Sequence, residues 1–342
     1  MRHFLLVSVC TFSLNFAFAQ KDTSKPSQPD SATMEAMRAQ YIENAAILNP
    51  RLRQFYVVHE EQGTSDMTSK LKDGTEVSSG KLRIERTRVN MNMPILQRGK
   101  STIIANFGFV NQIFHVGTNL PNGSIENTTK SMQMLNTGLT FATQQKLFGK
   151  DLTIIGMANG MFTGSFDKAQ LTAIAMANLT LKRTATTQMS VGAAFLYDPS
   201  SPSPFLPTFS YYHKFTDAKL DFMLDLPYRL AVRREFSKKF SLAFSNDMIG
   251  YNSFFDQDNL TPGNNQKLVF SYLEIKSGLL AEYRLSKKAF ISLSSGINTP
   301  LKSRILEKYS KPNDYLIKNN LHVVPYVQIG FSMLPFWKGL NL

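Results

Sequence analysis

In the stretch KLDFMLDLPYRLAVRREF (residues 219–236) ionisable side chains alternate with large apolar ones. Asp221 and Asp225 are interleaved with Phe222, Leu224 and Leu226. Arg229 and Arg233 are interleaved with Leu230 and Val232. Successive side chains of a strand point to opposite sides, so all four charges lie on one face. A turn at Leu226-Pro227-Tyr228 sets Asp225 opposite Arg229, Asp221 opposite Arg233 and Lys219 opposite Glu235. Leu224–Leu230 and Phe222–Val232 then meet on the other face. Such a face offers ion pairing and hydrogen bonding to a solute. The pattern recurs. Arg86, Arg88, Asn90 and Asn92 oppose Val89, Met91 and Met93; Glu274, Lys276, Glu282 and Arg284 oppose Ile275, Leu279, Ala281 and Tyr283, with Gly278 leaving room among the charges.

Residues suited to covalent or metal chemistry are sparse. The five histidines are His3, His59, His115, His213 and His322, and no pair has HxxxH or HExxH spacing. His115 with Asn111 and Ser124 does not specify a triad. Asp256-x-Asp258-Asn259 has Leu260 at the next ligand position and no closing Glu, so it reads as a solvated loop. No phosphate-binding glycine motif occurs. The expectation is a protein without enzymatic activity, cofactor or metal.

The ten charged residues Arg86, Arg88, Asp221, Asp225, Arg229, Arg233, Glu274, Lys276, Glu282 and Arg284 are the candidate functional set. Strands must position them. Fourteen strand-like segments follow one another from Arg51 to the C-terminus, with a range of twelve to sixteen. Six connections are short, such as Phe148-Gly149-Lys150 and Ser286-Lys287-Lys288. They alternate with longer polar ones: 61–80, 116–128, 163–169, 198–203, 252–266 and 300–319. Leu226-Pro227-Tyr228 is the one short member of the second set. Short turns at one end and long loops at the other suit an antiparallel up-and-down barrel. A Greek-key sandwich gives no reason for the alternation.

Composition agrees. The chain has 342 residues, with 38 Lys+Arg against 25 Asp+Glu, a net charge of +13. The charges are dispersed, which argues against nucleic acid as a partner. Mean hydropathy is −0.17. No run beyond the N-terminus approaches the roughly 18 apolar residues of a spanning helix. Met1-Arg2-His3, the apolar run Phe4–Phe16 and Ala17-Phe18-Ala19 read as a signal peptide over 1–19, cleaved after Ala19. Cleavage removes Cys10, the only cysteine. Residues 20–50 read as a short periplasmic segment, a linker with a short helix, and 51–342 as the barrel.

Either face of an alternating strand can be the inner one. The apolar faces mix Ala, Met and aromatics over ten or more residues, near the roughly 9–11 a tilted strand needs to cross a bilayer. Closure also pairs every strand edge. The expectation is therefore charges inside and leucines toward lipid. Clusters at Phe205, Phe209, Tyr211 and Tyr212, at Tyr251, Phe254 and Phe255, and at Phe336-Trp337 read as aromatic girdles.

The signal peptide, the hairpin rhythm and the final run Tyr326-Val327-Gln328-Ile329-Gly330-Phe331-Ser332-Met333-Leu334-Pro335-Phe336 resemble those of Gram-negative outer-membrane β-barrels of uncharacterised function. The resemblance covers roughly Arg51 to Phe336; six residues follow a terminal aromatic that ends the chain in many such proteins. It implies an outer-membrane location, with membrane lipid, lipopolysaccharide and the barrel-assembly machinery as partners. The function expected is a passive channel or solute-binding barrel for small polar molecules. The alternative is a non-conducting scaffold acting through its extracellular loops.

Overall fold

The computed structural model describes residues 40, 42–164, 166, 169–197, 204–255, 268–307, 310, 313–336 and 340–341. The signal-peptide expectation and the Asp256–Asn259 segment lie outside these residues. Residues 42–48 are helical, and a 3-10 turn at Pro50–Leu52 follows. Asn49 caps that turn, its side chain accepting from the Arg51 backbone N–H at 3.1 Å.

The rest of the described chain is antiparallel sheet: β1 (Phe55–Gln62), β2 (Ser65–Leu71), β3 (Glu76–Arg98), β4 (Ser101–Asn119), β5 (Ile125–Leu147), β6 (Lys150–Thr163), β7 (Ala169–Arg183), β8 (Thr187–Tyr197), β9 (Phe205–Phe215), β10 (Leu220–Leu226), β11 (Arg229–Glu235), β12 (Phe240–Phe255), β13 (Leu268–Arg284), β14 (Ala289–Glu307), β15 (Tyr315–Leu321) and β16 (Val324–Met333). A two-residue β17 (Leu340–Asn341) runs parallel to the end of β3. β1 and β2 form one stave broken at Gly63; β15 and β16 form another. The barrel thus has fourteen staves, each paired to its sequence neighbours. The first and last close the ring, with Tyr56 opposite Ser332 and Glu60 opposite Gln328. At the break, the Gly63 N–H donates to the Pro325 carbonyl at 2.8 Å. A Cβ there would come within 2.9 Å of the Pro325 ring, so the seam accepts only glycine without a shift.

Burial decides which face is inside. Arg86, Glu60 and Glu274 are at most 1% exposed, whereas Phe107, Leu139, Val191, Leu279, Leu293 and Ile329 are 37–57% exposed. A water-soluble sheet would reverse this. The chain is an all-β transmembrane barrel with polar groups inside and apolar groups outside.

The staves are unequal. β3 and β5 run 23 residues each; β10 and β11 run seven. About 9–11 residues suffice to cross, so the β3–β5 wall projects well beyond the apolar belt. Most of 61–80 and 116–128, and parts of 300–319, are strand rather than the expected loop. The outer face is polar there: Arg83, Glu85 and His115 point outward, with Arg83 on Glu85 at 2.6 Å and His115 on Glu85 at 3.0 Å, while Leu82, Ile84 and Phe114 are buried inward.

Candidate functional site: the barrel lumen

The opening hairpin pairs in the expected register, Asp221 opposite Arg233, Asp225 opposite Arg229 and Leu224 opposite Leu230. All ten charged candidates lie on inward positions, nine of them in three groups; the tenth, Asp225, is hydrogen-bonded to Ser210.

The first group sits beside the seam. Glu60 from β1 and Glu274 from β13 face Arg86 and Arg88 from β3 and Lys276 from β13. Arg86 Nη1 reaches both carboxylates at 3.1 Å; Arg88 Nη2 reaches Glu60 at 3.3 Å. Lys276 bridges to Glu60 and lies 3.7 Å from Glu274. Gln62 donates to Glu60 at 2.9 Å and to Glu274 at 3.2 Å, and Asn298 donates to Glu274 at 2.7 Å. The Tyr251 ring lies under Arg86 at 3.6 Å while its hydroxyl accepts from Arg88 at 2.7 Å. Removing one partner of so buried a set strands the rest. Gly278 makes room, as expected: it faces Gly296, and a Cβ on it would stand 2.6 Å from the Tyr326 hydroxyl. The Tyr326 ring in turn lies 5.0 Å from Lys276 Nζ.

The second group anchors the N-terminal segment inside the barrel, toward the short turns. Arg53 binds Glu282 at 2.7 Å, Ser332 Oγ at 2.7 Å and the Ala46 carbonyl at 3.1 Å. It stacks on Phe290 at 4.4 Å. Glu43 meets Lys288 at 2.6 Å and Arg284 at 3.5 Å. Ala46 packs against Phe290 and Leu334, and Ile42 reaches the apolar wall. Arg229 donates to the Leu48 carbonyl at 3.4 Å and shares Asp247 with Arg51, at 3.6 and 3.3 Å. Its ionic partner is therefore Asp247 on the neighbouring stave. The third group is small: Arg233 meets Asp221 at 3.6 Å, and Tyr212 donates to Asp221 at 2.8 Å.

At the other end the β12–β13 hairpin bends inward, and β12 meets β5 across the lumen. A β-bulge between Leu273 and Glu274, opposite Pro300 and Lys302, marks the bend. One face of the hairpin packs Phe270 and Tyr272 against Leu82, Ile84 and Phe114; the Phe114 and Phe270 rings meet edge-on at 5.4 Å. The other packs Phe254 and Val269 against Met134, Val110 and Met161.

Between these occlusions lies a cavity of about 410 Å³. Arg88, Arg229, Lys276 and Glu282 are the candidates on its wall; the other six lie behind it. Staves β3 to β6 contribute the amides Asn90, Asn92, Asn106, Asn136 and Asn159. Asn106 donates to Asn92 at 2.9 Å and accepts from Thr140 at 2.7 Å, while the Asn90 amide nitrogen has no hydrogen-bond partner among the described residues. Lys302 and Arg304 also line the cavity. Sequence reasoning missed both, because Pro300 opened what read as a loop. It also missed an apolar patch on the inner face of β5–β9: Ala142, Ile155, Met157, Ile174, Met176, Ala194, Leu196 and Leu206 form one buried cluster.

Three other expectations are corrected or placed. Tyr212 and Tyr251 bind ionic partners inside, and Phe254 is buried among interior residues, so they belong to no outer girdle. Phe205 faces outward, 58% exposed, and Trp337 lies outside the described residues. His115 bonds Glu85 and Thr129, Asn111 bonds Ser131 and Ser124 bonds Asn122, so these three are not brought together. Among the described residues no three His, Cys, Asp or Glu side chains are grouped to hold a metal.

A family profile described as "Domain of unknown function (DUF6268)" matches residues 53–334, and the chain belongs to that family. No curated protein matches. Among solved structures, an outer membrane channel from Pseudomonas putida F1 aligns at 9% identity and TM-score 0.35, covering 82% of this chain and 96% of that one. The Pseudomonas putida toluene transporter TodX aligns at 11% identity and TM-score 0.33, covering 84% and 93%. The transport unit of the Escherichia coli autotransporter AIDA-I aligns at 10% identity and TM-score 0.35, covering 86% and 97%.

Proposed function

We propose that this member of the DUF6268 family is an outer-membrane channel for small polar solutes, drawn here in its closed form. The observation that carries the reading is a cavity of about 410 Å³ held between two separate occlusions, with polar and charged groups on part of its wall. A solid protein plug would fill that space. The amides, tyrosines and ion pairs on one side of the cavity suit a hydrated solute, and Met157, Ile174 and Leu196 line the other side. The N-terminal segment closes the short-turn end through few groups, chiefly Arg53 and Glu43. Its release would open one mouth, and straightening the bulged hairpin would open the other. Short turns suit a periplasmic side for that first mouth. In this reading the outer belt contacts membrane lipid and lipopolysaccharide, and the assembly machinery inserts the barrel.

The test is single-channel recording in planar bilayers. Steady openings that become more frequent in Arg53→Ala support the channel. A second reading rests on the mutual pairing of Glu60 and Glu274 with Arg86, Arg88 and Lys276, which suits a non-conducting scaffold. Silence of both the natural chain and Arg53→Ala, with folding verified by heat-modifiable gel migration, selects it.

A further inference from the structure

The cavity wall is electrostatically unbalanced. Seven of its ionisable side chains are Lys or Arg, and only two, Asp247 and Glu282, are carboxylates. Asp247 is already engaged by Arg51 and Arg229, and Glu282 by Arg53. Arg88 and Lys276 share Glu60 and Glu274 with Arg86. Lys302 stands apart. Its ammonium is enclosed by protein and has no hydrogen-bond acceptor among the described residues. Arg304, two residues on, adds a second positive charge on the same face of β14, its guanidinium 4.8 Å from the Tyr315 ring centre. An enclosed cation without an acceptor is costly unless something fills the role. The bulge at Leu273/Glu274 inserts one extra residue opposite, and past it both side chains line the cavity.

We propose that Lys302 and Arg304 form an anion-binding site within the cavity, and that its ligand is a hydroxylated organic acid. The carboxylate would accept from Lys302 Nζ and the Arg304 guanidinium. The hydroxyls would exchange hydrogen bonds with the amides of β3–β6, where the Asn90 amide nitrogen is without a partner among the described residues. This inference rests on the channel reading only for the claim that the ligand passes through; the site itself stands on the cavity.

Isothermal titration of the full-length barrel in neutral detergent, at low ionic strength, tests it with three probes of one size: gluconate, sorbitol and glucosamine. Gluconate is expected to bind at least about tenfold more tightly than the neutral or cationic probe. Lys302→Gln should weaken gluconate about tenfold or more, the effect of one charge-assisted hydrogen bond, and Lys302→Arg should restore most of it. Heat-modifiable migration verifies the fold of each variant. Equal affinity for gluconate and sorbitol, no gluconate binding, or an unchanged affinity in folded Lys302→Gln overturns the site. Conductance without gluconate binding removes the site and keeps the channel. Gluconate binding to a barrel silent in bilayers removes the channel and keeps the site.

Discussion

Two walls of the same lumen are built from opposite chemistry. The wall beside the seam, on β1, β3, β13 and β16, carries Glu60, Arg86, Arg88, Glu274, Lys276 and Gln328. The wall across from it, on β5–β9, carries Ile155, Met157, Ile174, Met176, Leu196 and Leu206. Both face inward on staves that face lipid outward. Being inside a barrel therefore does not dictate polarity; what stands opposite does. The charged wall faces its own counter-ions and the N-terminal segment. The apolar wall packs against Ile42 and borders the cavity.

Four substitutions sharpen or break that contrast. Glu60→Ala should be the most damaging, because it leaves Lys276, Arg86 and Arg88 with one carboxylate. Breaking so buried a set costs about 3–5 kcal/mol, read as a lower urea midpoint for the folded gel band. Next, Leu293→Arg places a charge on a residue that is 55% exposed on the outer face. Near the bilayer midplane this costs about 2–4 kcal/mol. A neutral outcome in lipid vesicles would contradict a lipid-facing belt. Met176→Ala, 4% exposed on the apolar wall, should cost about 2 kcal/mol. A loss as large as that of Glu60→Ala would mean that both walls are packed alike. Smallest is Lys72→Gln, which removes the 3.1 Å bridge to Asp314 between side chains that are 61% and 55% exposed. It should shift the midpoint by less than about 1 kcal/mol.

Most of the charged wall was legible in the sequence because its outward neighbours are apolar; Glu60 was not, since it stands between His59 and Glu61 at the edge of what read as a loop. Arg86 and Arg88 against Val89 and Met91 leave no ambiguity about period. The apolar patch was not legible, because both faces of its staves are apolar at that level. On β7 the outward Ala173, Ala175 and Ala177 are smaller than the inward Ile174 and Met176. Two-fold alternation disappears there. The projecting ends of β3–β5 were read as loops because their outer face is polar rather than apolar. Lys302 and Arg304 keep the even positions of the inward Ser292 and Ser294, but Pro300 opened what read as a loop and so hid them.

Glu60 belongs to the first stave, and its cations reach it from the second and from near the end of the chain. Zipping the ring shut and bringing Lys276 to Glu60 are consequently one event. Before that join Glu60 travels with Arg86 and Arg88 of the neighbouring stave, while Glu274 and Lys276 wait near the far edge of the open sheet. The reach of Arg86 to Glu274 and of Lys276 to Glu60 is an electrostatic reward that arrives only with the final join.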